Sequence, residues 1–252
     1  MNFEGKVVVL TGGGSGIGLE TVKQYARAGA SLVVNSIIPA HEAIVRQVLD
    51  ETGAQGVFVL ADITKPEDCK KTVNAAVEKF GRIDVLANIA GMVHSGYLLE
   101  ATEEDLMQAM DVNVKGTFSM MKYSVEQMLK TGGGVIVNVA SVAALKGHVN
   151  RSVYCASKGA VISLSRAVTA EYIQQGIRVN VICPGTTLTA ALEQRIMESR
   201  DPDATRKEFN GRQPIGRLGK EEEIANAILY ASSPGAAFMA GSLLVIDGGM
   251  TT

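Results

Sequence analysis

The sequence predicts an α/β fold in which a parallel sheet is covered by helices on both faces. Short apolar runs alternate with amphipathic stretches along all 252 residues. The runs are apolar almost throughout, which is the pattern of strands buried on both faces. The regular alternation of the two kinds of segment favours crossover connections and therefore parallel strands. No stretch has the composition of a linker, so a single domain over residues 1–252 is expected.

Seven strands are expected, and each is short and rich in Val, Ile or Leu. They are residues 6–10, 31–35, 56–60, 83–87, 135–139, 177–182 and 243–246.

Six helices are expected between these strands, from apolar spacing and from signals at their ends. They are residues 16–28, 40–51, 66–80, 102–130, 153–174 and 221–231. Pro66 fits the first turn of its helix. Thr102 and Asp105 fit a capping box that opens a long helix. The stretch 186–218 carries Gly, Pro and many charges, so we expect an irregular segment that serves as a substrate lid.

Composition argues against several classes of partner. The net charge is −2 and no basic block occurs, which disfavours nucleic acid. No apolar run approaches the ~20 residues of a membrane span. The three cysteines, Cys69, Cys155 and Cys183, show neither metal nor redox spacing, so reduced thiols, a cytoplasmic location and no metal site are expected.

A glycine-rich loop follows the first predicted strand and leads into the first predicted helix. Glycines allow the backbone to approach a pyrophosphate, and the helix N-terminus offers free N–H groups. The position between a strand and a helix is the context that makes this motif informative. The sequence therefore predicts a dinucleotide site, with contacts from Gly12, Gly14, Ser15, Gly16, Ile17 and Gly18.

The end of the second strand leaves the choice of dinucleotide open. An acid at this place binds the ribose 2′-hydroxyl of NAD and repels the 2′-phosphate of NADP. Here the residue is Ser36, and no acid or base follows at once. NAD and NADP therefore both remain candidates. Asp62, after the third strand, is expected either to accept from the adenine amino group or to cap a helix.

Tyr154 and Lys158 lie four residues apart, on one face of the predicted helix. A tyrosine titrates near pH ~10, and a neighbouring ammonium favours the phenolate, so Tyr154 is a candidate acid–base group. Ser141 follows the fifth strand, where its hydroxyl could bind the same substrate oxygen.

Taken together, these residues resemble the short-chain dehydrogenase/reductase family over nearly the whole chain. The matching motifs are the glycine loop, Asp62-Ile63, Asn88-Ile89-Ala90-Gly91, Asn113, Ser141, Tyr154, Lys158, Pro184-Gly185 and Ile246-Asp247-Gly248-Gly249.

The resemblance implies a seven-stranded Rossmann-type domain and a homotetramer. It implies Tyr154 as general acid/base, Lys158 as the group that lowers the tyrosine pKa and holds the nicotinamide ribose, Ser141 as the group polarising the substrate oxygen, and Asn113 as a water anchor. Asn88 would support the sheet and the cofactor. Further implied cofactor contacts are Ile63, Ala90, Gly91, Pro184, Gly185, Thr187 and Thr189.

Residues 146–154 and 172–178 are similar to a narrower group that contains R-3-hydroxybutyrate and 2-keto-3-deoxy sugar-acid dehydrogenases. This similarity implies a small carboxylate substrate held by Arg151, Arg195 and Arg206. The alternative is that these arginines are solvated charges paired with Glu193, Glu198 or Asp203.

The favoured function is hydride transfer between NAD(P) and a secondary alcohol on a small carboxylic acid. Two alternatives stay open: a 3-oxoacyl-carrier-protein reductase, and a non-catalytic nucleotide-sensing protein. The histidines, His41, His94 and His148, are expected in surface or packing roles, with His148 nearest the mouth of the site.

Overall fold

The computed structural model describes residues 1–252. Its strands are β1 (Val7–Thr11), β2 (Ser31–Ser36), β3 (Gly56–Leu60), β4 (Val85–Asn88), β5 (Gly134–Val139), β6 (Ile177–Pro184), β7 (Thr187–Leu188), β8 (Gly219–Lys220) and β9 (Leu243–Ile246). Seven of them form one parallel sheet in the order β3-β2-β1-β4-β5-β6-β9, while β7 and β8 pair separately. The predicted α/β fold with seven parallel strands is confirmed.

Nine α-helices surround the sheet. They are α1 (Gly16–Arg27), α2 (His41–Thr52), α3 (Pro66–Phe80), α4 (Glu103–Met110), α5 (Gly116–Met128), α6 (Ser152–Tyr172), α7 (Ala190–Met197), α8 (Pro202–Gly211) and α9 (Glu221–Ser232). None of them combines the length and the apolar character that crossing a membrane requires.

Two hydrophobic cores lie on opposite faces of the sheet. Along β1, Val8 and Leu10 belong to the core shared with α1, α2 and α9, whereas Val7 and Val9 belong to the core shared with α3 and α5. Successive residues of a strand point to opposite faces, so a strand covered on both sides must be apolar at every position. This is the physical reason for the continuous apolar runs in the sequence.

The prediction of a single helix over 102–130 is wrong in the middle of that segment. The Thr102–Asp105 capping box is present, but α4 ends at Met110, and a π-helical turn over Asp111–Lys115 precedes α5. The Thr117 hydroxyl donates to the Asn113 carbonyl at 2.8 Å across this turn. Such π-turns are frequent at functional sites, and this one places Asn113 beneath the cavity described below.

The irregular segment expected over 186–218 is instead mostly helical. Thr189 caps α7 by accepting from the Leu192 N–H at 3.3 Å. Asp201 caps α8 by accepting from the Ala204 N–H at 3.0 Å, with Pro202 in the first turn. Buried Ile196, Phe209 and Leu218 form a separate small core between these elements. Several of the charges that suggested irregularity, such as Asp203, Lys207 and Glu208, lie on the exposed face of a short amphipathic helix.

The carboxyl ends of β1, β2, β4, β5 and β6 meet at one edge of the sheet. β1 lies between β2 and β4, so the chain connections diverge on either side of it. In parallel sheets of this kind a crevice opens at such a switch point, outside the carboxyl ends of the strands.

Candidate active site

A cavity of about 1350 Å³ occupies that crevice. Single small-molecule sites have volumes of roughly 300–1,000 Å³, so the space exceeds the needs of one small ligand. Most residues predicted to bind the cofactor line its wall. They are Gly12, Ser15, Ile17, Gly18, Ser36, Asp62, Ile63, Ala90, Gly91, Tyr154, Lys158, Pro184, Gly185, Thr187 and Thr189.

The loop between β1 and α1 fits a pyrophosphate. Gly12 has a φ of +69°, and a Cβ there would stand 2.8 Å from the Ala90 Cα. At Gly18 a Cβ would stand 2.0 Å from the Gly12 carbonyl oxygen. The N-cap of α1, Ser15, makes no side-chain capping bond, and the first turn carries no acid. The N-terminal N–H groups of α1 are therefore left for an anionic ligand.

Three predicted cofactor residues, Gly14, Gly16 and Asn88, lie outside the cavity lining. The Asn88 side-chain amide donates to Asn138 Oδ1 at 2.8 Å, and Asn138 in turn donates to Ser165 Oγ at 2.8 Å. This buried chain ties β4 to β5 and α6, which matches the sheet-supporting part of the expectation for Asn88.

Asp62 lines the cavity and does not cap a helix. Its Oδ1 accepts from the Thr64 N–H at 2.9 Å and from the Thr64 hydroxyl at 2.8 Å. The residue at the N-cap of α3 is Lys65. Asp62 therefore shapes the turn after β3 with one carboxylate oxygen.

Tyr154 and Lys158 lie on the inner face of α6, with the Lys158 Nζ 6.0 Å from the centre of the tyrosine ring. Lys158 is buried and donates to the Val139 carbonyl at 2.9 Å. Burial lowers the pKa of Lys158 to about 8. Burial also raises the pKa of Tyr154, although the Ser141 hydroxyl acts in the opposite direction. In this structure burial therefore outweighs the depression of the tyrosine pKa that the sequence led us to expect.

Ser141 follows the end of β5 in extended backbone and begins a short 3₁₀ turn. Its hydroxyl oxygen accepts from the Ala143 N–H at 3.1 Å, which fixes the side-chain rotamer. Because that bond uses only an acceptor position, the hydroxyl proton is free for a substrate oxygen or for Tyr154.

Asn113 is fully buried and is held on both sides of its amide. Its Oδ1 accepts from the Met92 N–H at 2.9 Å, and its Nδ2 donates to Ser157 Oγ at 2.9 Å. A Cβ added at Gly91 would stand 2.9 Å from that Oδ1 and 3.1 Å from the Lys158 Nζ. Asn113 and Lys158 thus approach the same backbone position from two different helical segments.

Arg151 and Arg195 both line the cavity, as predicted for a carboxylate site. Arg151 follows Asn150, whose φ of +54° is the only positive value at a non-glycine residue. The guanidinium of Arg151 donates to the Asn150 carbonyl at 2.9 Å and to its side-chain oxygen at 2.6 Å. Burial lowers the pKa of Arg151, and the charges of Arg195 and Arg212 lower it further.

Arg206 does not reach the cavity, and Arg212 does. Arg206 pairs with Glu193, one of the carboxylates that the sequence offered as its alternative partner. Arg212 lies 4.4 Å from the ring centre of Phe209, and Arg195 lies 5.4 Å from the same ring. Sequence reasoning missed Arg212 because it treated the segment as irregular. A helix over 202–211 would have placed Arg212 one turn from buried Phe209.

Two histidines line the cavity, and neither belongs to a metal cluster. His148 stands near Lys146, Arg212 and Arg151; burial, followed by these charges, lowers its pKa. His41 lies at the opposite end of the cavity, where Ser36 contacts it, although the sequence suggested a surface or packing role. No group of three or more His, Cys, Asp or Glu side chains is placed to hold a metal ion.

Replacing Lys158 by Met should stabilise the protein at neutral pH. The pKa of Lys158 falls from 10.5 to about 8 on folding, so the unfolded state binds more protons between those values. The free energy of unfolding of the wild type therefore rises with pH across that window. Such a shift corresponds to a penalty on the order of 3 kcal/mol below pH 8. We expect Lys158→Met to gain about 1–3 kcal/mol at pH 7.

The measurement is urea unfolding of both proteins from pH 7 to pH 10.5. The gain should shrink as the pH rises, because the wild type loses its buried charge. The control is Lys130→Met, since Lys130 is exposed and should change stability by less than about 0.5 kcal/mol at every pH. A Lys158→Met variant that is less stable than the wild type at pH 7 would show that burying the Lys158 ammonium does not lower the free energy of unfolding.

Comparison with known sequences shows a match over nearly the whole chain. The family described as enoyl-(acyl carrier protein) reductase matches residues 12–251. An uncharacterized oxidoreductase of Thermotoga maritima is 46% identical over 251 residues, covering 100% of this chain and 99% of that protein. Dehydrogenase/reductase SDR family member 6 of Rattus norvegicus is 40% identical, with 98% of each covered. A 2-keto-3-deoxy-L-fuconate dehydrogenase of Xanthomonas campestris pv. campestris is 38% identical, covering 98% of this chain and 80% of that protein.

Solved structures are also similar to this chain over nearly its whole length. ElxO with NADP bound has a TM-score of 0.92 and 30% identity, covering 97% of this chain and 98% of that one. A NAD⁺-bound xylitol dehydrogenase has a TM-score of 0.93 and 30% identity, covering 99% and 100%. The geometry of the site and these similarities lead to one conclusion: the chain belongs to the short-chain dehydrogenase/reductase family, and it is an NAD(P)-dependent oxidoreductase acting on CH–OH groups.

Proposed function

We propose that the protein transfers a hydride reversibly between NAD(P) and a secondary alcohol or ketone on a small carboxylic acid, either a hydroxy acid or a keto-deoxy sugar acid. The observation that carries this proposal is the group of three arginines, Arg151, Arg195 and Arg212, on the cavity wall. Arg151 lies one helical turn before Tyr154 in sequence, so the charges stand near the reacting phenol. Arginine binds carboxylates in a bidentate manner, which fixes orientation as well as charge.

Each residue of the catalytic set has a role that its position supports. The bound dinucleotide supplies or accepts the hydride. Tyr154 gives its phenolic proton to the substrate oxygen in reduction and removes it in oxidation. The raised pKa of Tyr154 favours the protonated phenol, which is the form that donates in reduction. Ser141 donates to the same oxygen, and Lys158 holds a positive charge beside the phenol. Asn113 is fully buried and holds Met92 and Ser157 in place behind this group.

Phe209 supports the arginine group in a manner that suits a small anion. Its buried ring contacts the guanidinium groups of both Arg195 and Arg212, and an aromatic face orients a guanidinium without using its N–H donors. The donors of Arg195 stay available for a ligand, whereas Arg212 donates one N–H to Glu208. We further propose that α7 and α8, which carry Arg195 and Phe209, form the lid of a single domain spanning residues 1–252.

A second candidate is a 3-oxoacyl-carrier-protein reductase. A protein of that name from Thermotoga maritima is 35% identical to this chain. The arginine group argues against it, because three cations on the cavity wall suit a substrate whose negative charge enters the site. A non-catalytic nucleotide sensor is disfavoured by the complete set of Ser141, Tyr154 and Lys158, since sensing does not require an acid–base group.

The direct experiment follows absorbance in the reduced-nicotinamide band. The panel contains small 3-hydroxy acids, keto-deoxy sugar acids and a 3-oxoacyl thioester, each with both cofactors. We expect turnover of one of the acids and little or no turnover of the thioester. A thioester that reacts faster than every acid would favour the second candidate.

The carboxylate role of Arg151 is tested with Arg151→Met, assayed on a reactive acid and on its methyl ester. Loss of a charge-assisted hydrogen bond costs roughly 1.5–3 kcal/mol, or about 10- to 150-fold in kcat/KM, for the acid. The ester should change far less. The control is Arg46→Met, because Arg46 is exposed on α2 and pairs with Glu42. Equal losses on acid and ester would remove Arg151 from carboxylate binding.

We also propose that the protein is a homotetramer, located in the cytoplasm in keeping with its three free cysteines. A tetramer built on perpendicular two-fold axes needs at least two self-complementary surfaces. Two separate surfaces expose large apolar side chains. One carries Leu106, Met107 and Phe118 on α4 and α5, and the other carries Tyr230, Phe238 and Val245 beside edge strand β9.

The two surfaces predict a stepwise loss of assembly. Light scattering should give four times the chain mass for the wild type. Phe118→Lys and Phe238→Lys should each give half of that mass, because each removes one of the two interfaces. A monomeric wild type would contradict the proposal.

A further inference from the structure

A histidine that follows β2 in the sequence contacts the last residue of that strand. His41 begins α2, and its Nδ1 lies 2.8 Å from the Ser36 hydroxyl oxygen. The same oxygen accepts from the Ile38 N–H at 3.2 Å. All three residues line the cavity at the end where the second strand of such folds contacts the adenosine ribose.

The imidazole also packs on the glycine loop. A Cβ at Gly14 would stand 2.1 Å from the His41 Nδ1 and 2.2 Å from its Cγ, so the ring fills the space above that glycine. Gly14 belongs to the loop that fits the pyrophosphate. His41 therefore joins the phosphate-binding loop to the ribose end of the cavity, and its position is fixed from two sides.

The hydrogen bonds leave one nitrogen of His41 free. The Ser36 oxygen accepts from Ile38 and keeps a second lone pair, so its bond to neutral His41 depends on the ring tautomer. Either Ser36 donates to Nδ1 and Nε2 carries the ring proton, or Nδ1 donates to Ser36 and the Ser36 proton faces the cavity. Nε2 has no partner within the protein and is not a buried atom. On protonation, Nδ1 donates to Ser36, which frees the serine proton. The charged pair then offers an imidazolium N–H and a hydroxyl as donors.

The surrounding charges are compatible with an anion at this place. The loop from Thr11 to Ile17 carries no titratable group. On α2, Glu42 is paired with Arg46 at 2.6 Å. After β3, Asp62 has one oxygen engaged by Thr64. No acid stands at the end of β2 to repel a phosphate.

We propose that His41, held by Ser36 and Gly14, recognises the 2′-phosphate of NADP(H) and makes the protein select NADP(H) over NAD(H). A phosphate monoester carries about −1.5 to −2 charges at pH 7 and accepts strong hydrogen bonds, which the imidazole of His41 and the hydroxyl of Ser36 are placed to donate. The inference rests on cofactor use and is independent of the proposed carboxylate substrate.

The test measures binding and needs no substrate. The fluorescence of the reduced nicotinamide in NADPH and in NADH can be titrated directly. We expect the wild type to bind NADPH at least tenfold more tightly than NADH. His41→Gln should weaken NADPH about tenfold or more and change NADH by less than twofold. The control is His94→Gln, since His94 lies outside the cavity beside Asp105 and should change neither.

If His41→Gln folds poorly, the wild type still decides the matter, because 2′,5′-ADP should raise its Tm more than ADP does. A wild type that prefers NADH, or an NADPH-to-NADH ratio unchanged in His41→Gln, overturns the proposal.

Discussion

Tyr154→Phe is expected to reduce kcat by at least 10²–10⁴-fold while cofactor binding stays within about twofold. The phenol is the acid–base group beside Ser141 and above Lys158, and phenylalanine keeps the ring but removes the proton. Because the largely buried ring is kept, we expect the packing of α6 to stay unchanged. The reduced-nicotinamide assay and a fluorescence titration with NADPH measure the two quantities separately.

The control for Tyr154→Phe is Tyr97→Phe, because Tyr97 is exposed and lies outside the cavity lining. This variant should keep wild-type kcat. A Tyr154→Phe enzyme that also keeps wild-type kcat would remove Tyr154 from proton transfer. Weakened NADPH binding together with lost turnover would instead point to a structural role for the hydroxyl.

Arg212→Met is expected to lower kcat/KM for the acid substrate by about 10- to 150-fold, whereas Arg206→Met should change it by less than about twofold. Arg206 and Arg212 are well matched for this comparison. Arg206 lies on α8 and Arg212 at its C-terminal end, and each pairs with a glutamate, Glu193 and Glu208 respectively. They differ in that Arg212 lines the cavity and contacts Phe209. Partly exposed ion pairs such as that of Arg206 contribute less than about 1 kcal/mol.

Assays of both variants on acid and methyl ester complete this test. For Arg212→Met the loss should be confined to the acid, because the ester lacks the charge that a guanidinium binds. If Arg206→Met lost more activity than Arg212→Met, the arginine group would have to include the position that the sequence suggested. Equal small effects would mean that Glu208 neutralises Arg212 and that the carboxylate site depends on Arg151 and Arg195.

The sequence by itself determined the parts of this protein that depend on local pattern. The bounds of β3, β9 and α3 are the predicted ones. The signals behind these predictions, which are hydrophobic periodicity, helix or strand propensity and the residues at element ends, depend on neighbouring residues. The glycine loop and the positions of Ser141, Tyr154 and Lys158 were also readable, since each lies at a strand end or at helical spacing. These residues converge because parallel strands bring their carboxyl ends to one edge of the sheet.

Tertiary structure alone decided which distant side chains share the cavity and what their surroundings do to them. The π-turn at Asn113 interrupts a segment that is helical by pattern. Arg212 replaces Arg206 because Arg212 packs on the ring of Phe209 at the cavity wall, whereas Arg206 pairs with Glu193 on α7. His41 lies on the cavity wall with its ring over Gly14, a contact between residues that are distant in the sequence. Burial of Tyr154, which raises its pKa, depends on packing that no spacing along the chain encodes.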